Sequence, residues 1–288
     1  MDIPAEQPPF AWQPLTPKGV AAFARATWGR LLGVQLVVAL FAAGSVVWFV
    51  QARWFSVVAR AIKVLPTQSE IRGGKLQWPG EPTQTLAENS FLSLCIDLKH
   101  EGIARSPAHV QVEFGQNNVR VISLFGSWQS AYLRGWQVAL NQPALEPWWG
   151  AWSPALLALI AIGIVAGLIA LWTTLAFVYA PVAWLVCFFS DRRLSFHGSW
   201  RLAGAALMPG ALFLSACLCV YGLGVLDLLR LIAAAAVHFL LGWVYLVYGA
   251  LRVPRQLSAQ SAQPNPFVGP EVAVAENQPV NSQLRAED

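Results

Sequence analysis

Four long stretches of the chain lack charge, and their spacing predicts the architecture. Leu31–Val50, Pro154–Ser190 and Leu202–Leu226 contain no Asp, Glu, Lys or Arg, and neither does Leu231–Leu251, which carries a single histidine. A bilayer has a hydrocarbon core of about 30 Å, which a helix crosses in about 20 residues. The pattern therefore predicts a helical membrane protein with spans at 31–51, 154–190, 202–222 and 231–251. The second stretch is ambiguous. As one straight helix it is roughly 55 Å long, and as two spans it needs a very tight turn, which gives a five-span alternative.

Basic residues favour four spans. Lys18, Arg25 and Arg30 precede the first span, Arg192, Arg193 and Arg201 precede the third, and Arg252 and Arg255 follow the fourth. These clusters share the cytoplasmic side only if 154–190 crosses once. The expectation is then a cytoplasmic segment 1–30, an extracytoplasmic region 52–153, a cytoplasmic loop 191–201 and a disordered cytoplasmic tail 252–288. Pro181 is expected to bend the chain so that 182–190 lies at the inner interface, and Pro209 to kink the third span. Gly224–Leu229 reads as a short outer hairpin. The polar segment before the first span is long for a secretory leader, which suggests an uncleaved signal anchor.

Outside the spans the period changes. Thr16-Pro17 is a good helix start, and Val20, Phe23, Trp28 and Leu31 fall on one helical face, predicting an amphipathic helix on the membrane surface. Trp54, Val58, Ile62 and Leu65 continue the first helix until Pro66. Residues 67–145 read as a small, mainly antiparallel β domain. Leu92, Leu94, Ile96 and Leu98 alternate, as do Val110, Val112 and Phe114, taken as inward. Gly115–Asn118 is a turn into Val119–Phe125, and Gly73-Gly74 is another tight turn.

Composition sharpens this picture. Hydrophobic residues are 56% and charged residues 12%, against about 25% charged in soluble domains. The net charge of +4 comes without a Lys/Arg run, which argues against a nucleic-acid partner. The expected partners are the lipid bilayer and proteins met through the outer domain or the spans. Among the 14 tryptophans, Trp148, Trp149 and Trp152 read as interfacial anchors of the second span. Cys95, Cys187, Cys217 and Cys219 read as small apolar residues with no disulfide framework.

The order of parts resembles the uncharacterised bacterial membrane family catalogued as domain-of-unknown-function family 1189, distantly akin to the Yip family of membrane-trafficking proteins. The resemblance rests on Leu15-Thr16-Pro17-Lys18 leading through Ala26-Thr27-Trp28-Gly29-Arg30, and on Ile71-Arg72-Gly73-Gly74-Lys75-Leu76. It rests also on Leu94-Cys95-Ile96-Asp97, and on Arg192–Phe196 and Ser199–Ala203 leading to Pro209. It implies a threading, a fold and an inner-membrane address, and no activity or catalytic residues.

Few residues could carry chemistry. His238 is the one ionisable side chain deep in a span, a candidate for an intramembrane polar role or a helix-bridging hydrogen bond. Asp227 and Arg230 could pair, cap a helix or gate a path. Gly163 and Gly167 form a small-xxx-small pattern suited to helix packing. Asp97, His100, Glu101 and His109 lie near one another in sequence, as a metal site or a solvated turn. No zinc-protease, nucleophile-elbow or phosphate-loop signature is present, so neither an enzyme nor a cofactor is expected. The sequence points to a non-enzymatic interaction, scaffold or sensing component, with a small transporter or channel component as the alternative. Reporter fusions after Ile96, Phe196 and Arg255 are expected to report outside, inside and inside; an outside signal at Phe196 overturns the four-span threading.

Overall fold

The computed structural model describes residues 11–192 and 194–255. Four helices among them are long and apolar enough to cross a membrane, at Trp28–Lys63, Gln142–Phe189, Phe196–Gly222 and Leu228–Ala250. A small region of mixed β-sheet lies between the first and second. The expectation of a disordered tail falls on residues 256–288, outside the described residues.

Helix α1 (Pro17–Phe23) starts where Thr16 accepts the Gly19 N–H at 3.1 Å. It is not an open amphipathic surface helix. Val20 and Phe23 are fully buried against the later helices, because the chain breaks at Ala24–Ala26 and turns back along them. Thr27 then caps α2 (Trp28–Phe49). A π-helical segment (Val50–Phe55) and α3 (Ser56–Lys63) follow without a break.

Among the described residues eight strands form two sheets. The smaller has the order β2-β1-β8, from β1 (Glu70–Arg72), β2 (Lys75–Gln77) and β8 (Gln137–Val138). Its β1–β2 hairpin pairs Arg72 with Lys75, and the turn sets Gly73 and Gly74 at φ +63° and +78°, which favours glycine. The larger sheet runs in sequence order through β3 (Thr83–Glu88), β4 (Leu92–Asp97), β5 (Val110–Phe114), β6 (Asn118–Ser123) and β7 (Gly126–Ala131). Phe114 pairs with Val119 across the Gly115–Asn117 turn, as the alternation predicts. The departure is that β4 and β5 are parallel. Such a pair needs a crossover, usually a helix, and here the crossover is the loop Leu98–His109.

That loop explains a second difference. One sheet face, with Leu94, Ile96, Phe114 and Val119, packs on Ala61, Ile62 and Leu65 of the first helix and on the smaller sheet. The opposite face carries Asp97, Gln111 and Glu113, each at most 5% exposed, while Val110, Val112 and Phe114 are only partly buried. The inward face expected from alternation is thus the less buried of the two, because the crossover loop folds over the polar one.

Helix α4 (Gln142–Phe189) is unbroken through Pro147, Pro154 and Pro181, so residues 154–190 do not turn back and 182–189 continue the helix. At 48 residues it is about 70 Å long, far more than a bilayer core. At the sheet end α3 and the first turns of α4 flank the strands, and Phe55 meets Trp149 at 4.7 Å. Asn141 closes the base of the sheet region. Its Oδ1 accepts the Ala144 N–H at 3.1 Å and its Nδ2 donates to the Ser69 carbonyl at 3.4 Å.

Helix α5 (Phe196–Ala206) begins well inside the segment expected as a loop, because Ser195 accepts the Gly198 N–H. After a break at Leu207 beside Pro209, α6 (Met208–Gly222) continues; α7 (Leu228–Ala250) returns. α6 and α7 approach closely at Gly210, where a Cβ would lie 2.8 Å from the His238 carbonyl oxygen. At the end away from the sheets, Trp28 stacks on Trp200 at 4.3 Å, Arg201 donates to the Ala24 carbonyl at 3.0 Å and Tyr245 to the Leu15 carbonyl at 2.8 Å. Gly210→Leu is expected to force α6 from α7 and cost about 2 kcal/mol or more, read as a lower thermal midpoint in detergent; an unchanged midpoint refutes the close approach.

Candidate functional site

The chemistry-bearing side chains gather in two places, on the polar sheet face and where the sheets meet the helix ends. On the sheet face each side chain fixes part of the crossover loop. Asp97 accepts the Glu101 and Gly102 N–H groups at 3.2 and 3.0 Å. Gln111 donates to the Ala104 carbonyl at 2.6 Å and to Glu113 at 2.9 Å, and accepts the Ser106 N–H at 2.9 Å. His100 Nδ1 donates to Glu113 Oε2 at 3.1 Å, and Nε2 faces Asn118 Oδ1. An imidazolium donates to both oxygens; a neutral ring that donates from Nδ1 instead accepts at Nε2 once Asn118 turns its amide NH2 toward it. Gly115 is required here, since a Cβ would lie 2.3 Å from His100 Nε2. Arg120 approaches Glu113 at 3.9 Å.

Cys95 lies beneath this network. Burial pushes its thiol from 9.0 up to about 12; the Gln111 hydrogen bond works against that, while the Glu113, Asp97 and Glu88 carboxylates add to it. Burial likewise raises the Tyr132 phenol, which donates to the Gly115 carbonyl at 3.1 Å.

The second place is the junction. The π-helical segment presents Arg53, whose carbonyl accepts the Asn89 amide at 2.6 Å and whose Nε donates to the Gly222 carbonyl at the end of α6 at 2.6 Å. Its guanidinium lies 5.6 Å from the Phe91 ring centroid, a cation–π contact. Asn89 Oδ1 accepts the Phe91 and Leu92 N–H groups at 2.8 and 2.9 Å, which fixes the start of β4. His109 Nδ1 and the Tyr221 hydroxyl share a 2.6 Å hydrogen bond, with their rings stacked at 5.5 Å. Phe49 closes the cluster against Phe91 and Tyr221, each at 5.4 Å. π-helical turns recur at functional sites, and this one joins three segments.

The sequence-derived candidates are distributed differently. The four expected near one another separate: His100 and Asp97 join the loop network, Lys99 pairs with Glu101 at 3.6 Å on the surface, and His109 turns to the helices. Among the described residues no group of three His, Cys, Asp or Glu side chains is placed to hold a metal. Asp227 both caps α7, accepting the Arg230 N–H at 2.7 Å, and pairs with the Arg230 guanidinium at 3.4 Å. Trp148 and Trp152 are exposed at the sheet end of α4, while Trp149 packs on Phe55. Gly163 and Gly167 contact no other helix, since a Cβ at either would meet nothing within 4 Å. They line an apolar cleft of about 650 Å³, as does His238. The imidazole Nδ1 of His238 is buried without a hydrogen-bond partner.

Sequence reasoning missed Arg53, Asn89, Gln111, Glu113, Asn118 and Tyr221. Only Gln111 and Glu113 left a signal, two polar residues alternating with apolar ones in a strand, and alternation alone assigns such residues to solvent. Comparison with known proteins finds no matching family model, no matching curated protein and no matching solved structure.

Two outcomes are expected. Glu113→Ala removes the carboxylate that accepts from His100 Nδ1 and takes one acceptor from Gln111, and costs about 2–4 kcal/mol, read as faster amide exchange in 97–114; unchanged exchange shows that the loop is held otherwise. In a protein with Cys187, Cys217 and Cys219 replaced by Ala, alkylation of Cys95 near pH 8 is slowed about a thousandfold, the thiolate fraction lost when the thiol rises from 9.0 to about 12. Because the unfolded thiol ionises first, this contribution to stability is complete below about pH 9 and is lost as pH rises toward about 12. Alkylation at the rate of a free thiol contradicts the burial.

Proposed function

We propose that the protein is a non-enzymatic sensing and interaction component of a bacterial inner membrane. In this reading the sheet region is extracytoplasmic, both termini are cytoplasmic, and protein partners meet the sheets or the spans. The observation that carries it is the junction. A domain that is only tethered needs a linker, whereas here Arg53, Asn89, His109 and Tyr221 bond the sheet directly to two helix ends. A change in the sheet then shifts contacts at the end of α6, and α6 leads through the Leu207 break to α5 and the Arg201 contact with Ala24. Bonded networks with two arrangements are the means by which distant sites couple. The resemblance to the uncharacterised bacterial family, with its distant Yip kinship, is part of the proposal and supplies the address rather than an activity.

The transporter reading is favoured by one observation, the partnerless Nδ1 of His238 within a span. In proteoliposomes, proton-coupled flux abolished by His238→Gln would replace the sensing reading with this one.

Hydrogen exchange on the full-length protein in nanodiscs tests the coupling. Tyr221→Phe removes one hydroxyl and keeps the ring. It is expected to speed exchange about tenfold, one lost hydrogen bond, both in β5 and at Ser195–Trp200 at the opposite end. Exchange changes confined to the sheet region refute sensing and leave a passive scaffold.

A further inference from the structure

The cleft of about 650 Å³ between α4 and α7 falls within the size range of small-molecule sites. Apart from Phe125, its lining lies along segments long and apolar enough to span a membrane, with α2 and α6 contributing to its wall. We propose that it binds one acyl chain of a membrane lipid from the leaflet on the sheet side.

Four observations select that occupant. First, the cleft offers no charge to a ligand at depth. Ser215 spends its hydroxyl on the Ala211 carbonyl at 2.8 Å, and His238 Nδ1 is buried, its nitrogen 3.2 Å from where a Gly210 Cβ would stand. Of the lining residues only Trp172, Tyr179, Ser215 and His238 carry a polar side-chain atom and none a carboxylate, ammonium or guanidinium, so the lining suits an apolar ligand part. Second, Gly163 and Gly167 are not required by any helix contact, since a Cβ at either meets empty space. Their effect is to widen the α4 wall by two side chains. Third, the flanking helices face lipid: of the most apolar window only 6% of residues in α4 and 17% in α7 are buried. The medium that reaches the cleft laterally is therefore hydrocarbon. Fourth, Phe125, 82% exposed at the tip of the β6–β7 hairpin, lines the cleft. A helix of a second copy, about 10–12 Å across, would have to pass this hairpin to continue beyond the membrane. An acyl chain ends at its headgroup there, with the Phe125 ring beside its first methylenes.

The test uses the full-length protein in phosphatidylcholine nanodiscs, with a diazirine placed in one acyl chain. Photolabelling is expected at Ile232 and Ala235 of the α7 wall in preference to Leu159 and Ile162, which are openly exposed on α4. Gly167→Trp fills the cleft and is expected to lower labelling at Ile232 and Ala235 about tenfold, the occupancy lost with about two excluded methylenes. Labelling at Leu159 and Ile162 stays unchanged, which also reports correct insertion. Gly163→Leu, a smaller filling, gives the same result if Gly167→Trp fails to insert. Equal labelling of all four residues, or cleft labelling unchanged in both variants, overturns the proposal. Disulfide-linked dimers of Gly163→Cys overturn it in favour of a second copy.

Discussion

Arg53 is the residue on which the sheet end depends. Within a span a backbone carbonyl normally has no partner outside its own helix, because lipid offers none. At the point where α2 passes into α3, the π-helical winding lets the Arg53 carbonyl take a side-chain donor from the strand region while its guanidinium reaches the last carbonyl of α6. One residue thereby satisfies a helix end, fixes the turn before β4 and joins two spans. The neighbouring aromatic rings of Phe49, Phe91 and Tyr221 shield these hydrogen bonds from water, where they would be weaker.

The helices were legible because lipid imposes a simple rule, and apolar runs record it. Their ends were less legible, because the caps lie outside the runs. Ser195 and Asn141 start α5 and α4 before the last charges, Arg201 and Glu146, through single side-chain acceptors that no periodicity signals. α1 was legible as a helix from Thr16 and Pro17, but its destination was not. Whether an apolar stripe faces lipid or folds back on its own bundle depends on the Ala24–Ala26 turn, whose geometry is held by Arg201 from far along the chain.

The β region shows the same division. Its hairpins were readable because they are local, with Gly73-Gly74 and Gly115 placed where a turn or a close contact demands them. The parallel β4–β5 pair was not, since its partner strands are joined by a loop without helical period. What holds that loop is a set of polar side chains on a sheet face, and polar alternation ordinarily marks solvent. Asp97, Gln111 and Glu113 are buried because the loop supplies their partners, a relation that exists only in three dimensions. The site residues Arg53 and Tyr221 were hidden for a related reason: each reads as a span-end residue until its partner is known.

The Asn141–Ser69 hydrogen bond and the Phe55–Trp149 contact bring the entrance and exit of the β region side by side at the ends of two long helices. Evolution can therefore treat that region as a cassette. A different insert whose ends lie equally close could replace it without rethreading a single span, because the bilayer-crossing helices already hold the attachment points at a fixed distance. On such a chassis the β region is free to diverge quickly while the apolar helices change only as fast as helix packing allows.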